Sequence, residues 1–207
     1  MLIFILSLAW ATPKEWTLVS QKDGVKTEKQ DIPNSSLFAF RGEVITDIPL
    51  GKLSSLILDD DKGPQWVDLM YLSKTIEKPG DNVKIIHQGY DLPWPIQDRD
   101  YVMKQTYHYD DATKVFTLHF ESIQHPSMPT QDCCVRAMTY KTFWRLRVLK
   151  SGKTKAEVEV ITDPKGSLPA WLINLIQEDW PYKTLTSLIA RVKKGDIEMA
   201  PQAASWQ

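Results

Sequence analysis

Four histidines, two cysteines and a run of three aspartates are the residues whose types allow metal, thiol or acid–base chemistry in this chain. His87, His108, His119 and His125 stand at none of the short spacings that gather imidazoles around one metal ion. Asp59-Asp60-Asp61 opens like a calcium loop, but the twelfth position from Asp59 is Met70, where a bidentate glutamate belongs. Cys133 and Cys134 are neighbours. Adjacent Cα atoms lie about 3.8 Å apart, below the usual disulfide span. In a strand the two side chains would point to opposite faces. No ordinary internal disulfide is therefore expected, and without a CxxC spacing neither is a zinc site. GxSxG, HExxH, Walker A and GxGxxG sequences do not occur. No metal, no cofactor and no catalytic residue is expected. For chemistry inside a cavity, Tyr101, Tyr107, Tyr140 and His87 would be the side chains to watch.

The elements that must position these residues are mostly strands. Segments 16–21 and 25–30 flank Lys22-Asp23-Gly24, a hairpin signal, and 38–46 continues the strand pattern. Leu50, Leu53 and Ile57 follow at helical spacing behind Pro49, and Gly63-Pro64 stops that helix. The stretch 65–71 reads as a short second helical turn. Strands are expected at 71–78, 83–91, 99–109, 115–122, 135–149 and 153–162, joined by hairpin-like links that make the sheet antiparallel. The 135–149 strand would span roughly 50 Å if straight, so it must bend or twist. Segment 168–194 changes period. Leu172, Leu175 and Ile176, then Leu185, Leu188, Ile189 and Val192, form an apolar stripe, and Pro181 should kink the helix. The tail from Gly195 reads as frayed.

Strands followed by one long helix give an α+β class: a curved antiparallel sheet wrapped around a C-terminal helix, with room for a cavity between them. Alternation along the strands selects the inward faces. Tyr101, Met103, Gln105 and Tyr107 share one face, as do Phe116, Leu118 and Phe120 on the next strand. Met138, Tyr140, Thr142, Trp144 and Leu146 share a face on the long strand. Large aromatics, a flexible methionine and a few hydroxyls suit a pocket for a bulky apolar ligand. The same pattern also fits a dry core filled by its own side chains.

Taken together, "QKDGVKTEKQ", "WPIQDRDYV", "FWRLRV" and "DPKGSLPAWLINL" resemble the START (steroidogenic acute regulatory protein-related lipid transfer) domains of the Bet v 1-like superfamily, over roughly 15–194. The resemblance implies a helix-grip fold around a lipid-sized tunnel and a hydrophobic small-molecule partner without a cofactor. It implies that the final helix, through Leu172, Leu175 and Ile176, lids the tunnel. Binding, transfer or sensing of a lipid or sterol-like ligand is the function implied. A cyclase-like or hydrolytic cavity enzyme of the wider superfamily is the alternative. Some members carry a buried arginine six residues after the one matching Arg99; Gln105 stands there, which favours a neutral guest. Pro93 and Pro95 stiffen the approach to Arg99 and Asp100, and the pair is read as architecture, each side chain finding its own partner.

Composition bounds the rest. The 207 residues carry a net charge of −1, with no basic field for nucleic acid. The first eleven residues, "MLIFILSLAWA", are apolar, too short to cross a bilayer, and end in an A-x-A pattern. They read as a signal peptide lacking a basic start, followed by a lipid-binding domain at 12–195 and a tail at 196–207. Export to a bacterial periplasm, a monomer and transient membrane contact are the expectations.

Overall fold

A computed structural model describes residues 15–206; the segment read as a signal peptide, 1–11, lies outside them. The order is β1 (Thr17–Lys22), β2 (Val25–Asp31), β3 (Phe38–Thr46), α1 (Leu50–Leu58) and a 3-10 turn at Asp60–Gln65. β4 (Met70–Gly80), β5 (Val83–Tyr90), β6 (Asp98–Asp110), β7 (Val115–Ser122), β8 (Cys134–Arg136), β9 (Met138–Val148) and β10 (Thr154–Asp163) follow. α2 (Ala170–Lys193) and a 3-10 turn at Pro201–Ser205 complete the order. The strands form one sheet in the order β1-β2-β3-β10-β9-β7-β6-β5-β4, with β8 beside β6. Asp23 and Gly24 both have positive φ, which two-residue hairpins need to match strand twist.

α2 lies against β2, β3 and β10. Its seat is Gly42 on β3, where a Cβ would come within 2.8 Å of Leu185 Cδ1 and 2.9 Å of Pro181 Cβ. Pro181 lacks an N–H to donate within the helix, yet α2 continues through it as one element. Beyond Pro181 the helix is anchored by the fully buried Leu185 and Leu188; before it, only Ile173 is buried.

Four expectations are corrected. The single strand at 135–149 is two. β8 pairs in parallel with the start of β6, Arg99 opposite Val135, and the chain turns at Ala137 into β9. Within β9 the alternation slips: Lys141 pairs with Ile161, but Thr139 pairs with Thr162, which leaves Tyr140 as an extra residue. This bulge turns Met138 and Tyr140 outward, Tyr140 being 57% exposed, and brings Thr139 beside Thr142 on the inner side. Cys133 and Cys134 are joined as a disulfide. Cys133 lies in the turn before β8, so strand alternation does not separate the two side chains.

The tail is docked, not frayed. Ile197, Ala203 and Trp206 are buried, and Trp206 stacks on Tyr109 at 5.1 Å between ring centroids. The cause is α1, whose residues are all buried except Lys52. A helix without a polar face must be covered on every side. The sheet covers one side and the tail the other, with Ser55 Oγ accepting from Ala200 N at 2.8 Å.

Candidate functional site

Between the sheet's concave face and the first half of α2 lies a cavity. Atom-free space there totals about 1180 Å³ with the open mouth included, and the cavity volume open to water-sized molecules is about 150 Å³. Strand register lays out its depth. Arg99, Tyr101, Met103 and Gln105 of β6 line it in turn, a run of about 20 Å. Leu92, Pro164 and Leu168 belong to the loops at the Arg99 end. At the other end, Trp66 meets Trp144 edge to face at 5.8 Å. Beyond that floor, Tyr107 and Phe116 pack around Trp206, with ring centroids 5.9 and 5.3 Å away.

The thirteen residues picked out by pattern therefore divide. Tyr101, Met103, Gln105, Phe120, Trp144 and Ile176 line the cavity. Tyr107, Phe116 and Leu118 belong to the filled core around α1 and the tail. Met138 and Tyr140 face outward because of the bulge. Leu172 does not line the cavity, and Leu175 is exposed. The inward stripe of α2 is Ile173, Ile176, Gln177 and Trp180, a set spaced by 3, 1 and 3. A search for leucines misses it because it contains a glutamine. Tyr90 and Gln88 of β5, and Thr139 and Thr162, also line the wall. Alternation along β5 is the signal that could have found the first two.

The wall carries little free charge. Arg99 is buried, and its guanidinium donates to Pro164 O at 2.8 Å, Lys165 O at 3.0 Å and Gln97 O. Burial pushes its pKa down. The side chain thereby staples the β5–β6 loop to the β10–α2 loop. Asp60 accepts from Lys84 and from Thr75, each at 2.7 Å. Tyr90 and Tyr101 meet edge to face at 5.5 Å. Burial raises the Tyr101 phenol to about 12, and raises Tyr90 further. Both stay protonated near neutral pH and offer no general base.

The other side chains to watch for catalysis are elsewhere. Tyr107 donates to Asp81 O at 3.2 Å, and Tyr140 donates to Asp163 on the outer surface. His87 lies on the far face of the sheet from Gln88, bonded to Asp100 at 2.9 Å. Asp100 also accepts two bonds from Arg136, at 3.0 and 2.8 Å. Arg99 and Asp100 thus serve opposite faces with different partners. The arrangement can enclose an apolar, uncharged guest and present it with a few hydroxyl and amide groups.

Comparison with known proteins agrees with this geometry. A Pseudomonas aeruginosa protein of uncharacterised function is 29% identical over 187 residues, 89% of this chain and 90% of that one. Mouse phosphatidylcholine transfer protein is 26% identical over 168 residues, 79% and 77% of the two chains. The crystal structure of a STAR-related lipid transfer protein fragment from Xanthomonas axonopodis superposes with a TM-score of 0.75 at 25% identity, covering 86% of this chain and 98% of the fragment. Human STARD10 shares the fold, with a TM-score of 0.79 at 20% identity, covering 87% and 74%. The START domain model matches residues 5–193, so with nearly its whole length matched, the chain belongs to the START domain family.

Proposed function

We propose that the protein binds one lipid-sized hydrophobic molecule in this cavity and carries it, with the first half of α2 as the lid. The observation behind this reading is the cavity wall: about 20 Å of largely apolar lining under a helix firmly packed only beyond Pro181. Ahead of Pro181, side-chain hydrogen bonds hold α2 down. Asn174 exchanges bonds with Phe38 N at 3.1 Å and Ser36 O at 3.0 Å, and Gln177 donates to Thr162 Oγ1 at 2.8 Å. Water can replace such bonds when the lid lifts. Small-molecule sites hold about 300 Å³ or more, so on this reading the cavity, here about 150 Å³, widens on loading. Names such as phosphatidylcholine transfer protein among the relatives support lipid as the cargo class.

Loading from a membrane would use the exposed aromatics at the Arg99 end. Trp94 in the β5–β6 loop is 92% exposed and Trp171 at the start of α2 is 67% exposed. Tryptophan favours the bilayer interface.

Native mass spectrometry after mild purification should show the protein with one intact, extractable lipid. Trp144→Ala should weaken lipid uptake about tenfold by removing aromatic contact at the floor. Failure to recover any lipid, together with no uptake from vesicles, would overturn the carrier reading. Turnover of the added lipid would point to the cavity enzyme instead.

A further inference from the structure

The deep end of the cavity is where polar groups gather, and some of their atoms are left without partners. Register places Gln105 opposite Phe120, Phe120 opposite Thr142, and Thr142 opposite Val160, one row across the sheet. The next row toward the mouth runs from Met103 to Ser122, and from Thr139, whose N–H bonds Ser122, to Thr162. Gln177 reaches Thr162 from the lid. A belt of amides and hydroxyls therefore rings the cavity just above the Trp66–Trp144 floor.

Three of its atoms are buried without a hydrogen-bond partner: Gln105 Oε1, Gln177 Oε1 and Trp66 Nε1. Gln105 is only 2% exposed and lines the cavity. Unpaired buried polar atoms are costly. Two of these are acceptors and one is a donor. A single group that both donates and accepts, an alcohol, pairs the indole donor and one of the two acceptors; an ether or a ketone only accepts. A phosphate placed there would meet no free counter-charge: Lys84 of β5, opposite Gln105 in register, is already paired with Asp60 at 2.7 Å and bonded to Leu58 O. The nearest cationic side chain on the same β6 face is Arg99, six residues away and already bonded to three carbonyls.

We propose that Gln105, Gln177 and Trp66, with the Thr139–Thr142 hydroxyl pair, form a subsite for the hydroxyl of an uncharged lipid that enters polar end first. This rests on the carrier reading and specifies its cargo. The hydrocarbon then lies toward Tyr101, Leu92 and Leu168. Sterols and diacylglycerols share the required chemistry, and separate arms of one experiment distinguish them.

The test uses the full chain, stripped of lipid, titrated with cholesterol and its methyl ether, with dioleoylglycerol and its methyl ether, and with dioleoylphosphatidylcholine. At least one alcohol should bind about tenfold tighter than its own ether, the difference expected for one buried hydrogen bond. In Gln105→Leu that preference should fall to within about twofold. The same variant, freed of an unpaired acceptor, should melt no lower than the parent without lipid. Gln177→Leu tests the other acceptor. Equal affinity for alcohol and ether in the parent, or a preference untouched by both variants, would overturn the subsite. Phosphatidylcholine binding tighter than either alcohol would overturn the neutral cargo while leaving the carrier reading standing. Binding of none of the five lipids would overturn the carrier reading itself.

Discussion

Asp100 shows how far a single residue's neighbours decide its meaning. In the sequence it stands beside Arg99, the nearest cation along the chain, although strand alternation gives each its own partner. The strand sends them to opposite faces, and Asp100 instead binds Arg136 and His87 beneath the β7–β8 connection. Burial raises its pKa, but the bonds from Arg136 and His87 outweigh that and hold it below the ordinary carboxylate value. A depressed folded-state pKa stabilises the fold above the unfolded value of about 3.9, and the contribution fades as pH falls through the folded value. The melting temperature should thus be insensitive to Asp100 above about pH 5 and drop in stronger acid. Asp100→Asn should cost about 3 kcal/mol at neutral pH, by leaving the Arg136 charge unpaired. It should also flatten the acid limb of a melting-temperature profile. An acid limb of unchanged steepness would show that other carboxylates control it.

Among the elements, α2 is the one on which the carrier proposal rests, and its seat can be tested. Gly42→Ala puts a methyl group against Leu185 and Pro181, and should cost about 1–3 kcal/mol in urea denaturation. Gly80→Ala, at a strand end with open space around it, should stay within about 0.5 kcal/mol of the parent. Equal behaviour of the two variants would refute the close contact. Elements were legible in the sequence where period and turn chemistry coincide: the Asp23-Gly24 hairpin, the 115–122 strand, the helix after Pro169. The cavity face was legible on β6 because Tyr101, Met103 and Gln105 alternate without interruption. It was illegible on β9, where "MTYKTFW" alternates as well on paper as a regular strand does. The bulge at Tyr140 exists only because β10 pairs with it in that register. On α2 the obstacle was polarity. The inner stripe of α2 holds Gln177, which a hydrophobic criterion rejects.

For the molecule as a whole, the concave face is shared between two occupants. One half encloses the cavity; the other is filled by α1 and the tail. Nothing periodic in 196–206 announces that role. The clue lay far away, in a helix at 50–58 with almost no polar side. Trp206 touches Tyr107, Tyr109 and Phe116, so Trp206→Ala should cost about 3–5 kcal/mol in thermal or urea unfolding. A loss below about 1 kcal/mol would mean that the tail decorates the core instead of completing it.

The guanidinium of Arg99 has a mechanical consequence. It grips Gln97 on one side and Pro164 and Lys165 on the other, so the two segments bordering the entrance behave as a closed hoop. Widening such a hoop from either segment alone would tear several charge-assisted bonds at once. If the protein carries a lipid as proposed, traffic through the hoop is governed by the helix above, and the same gap serves for arrival and departure.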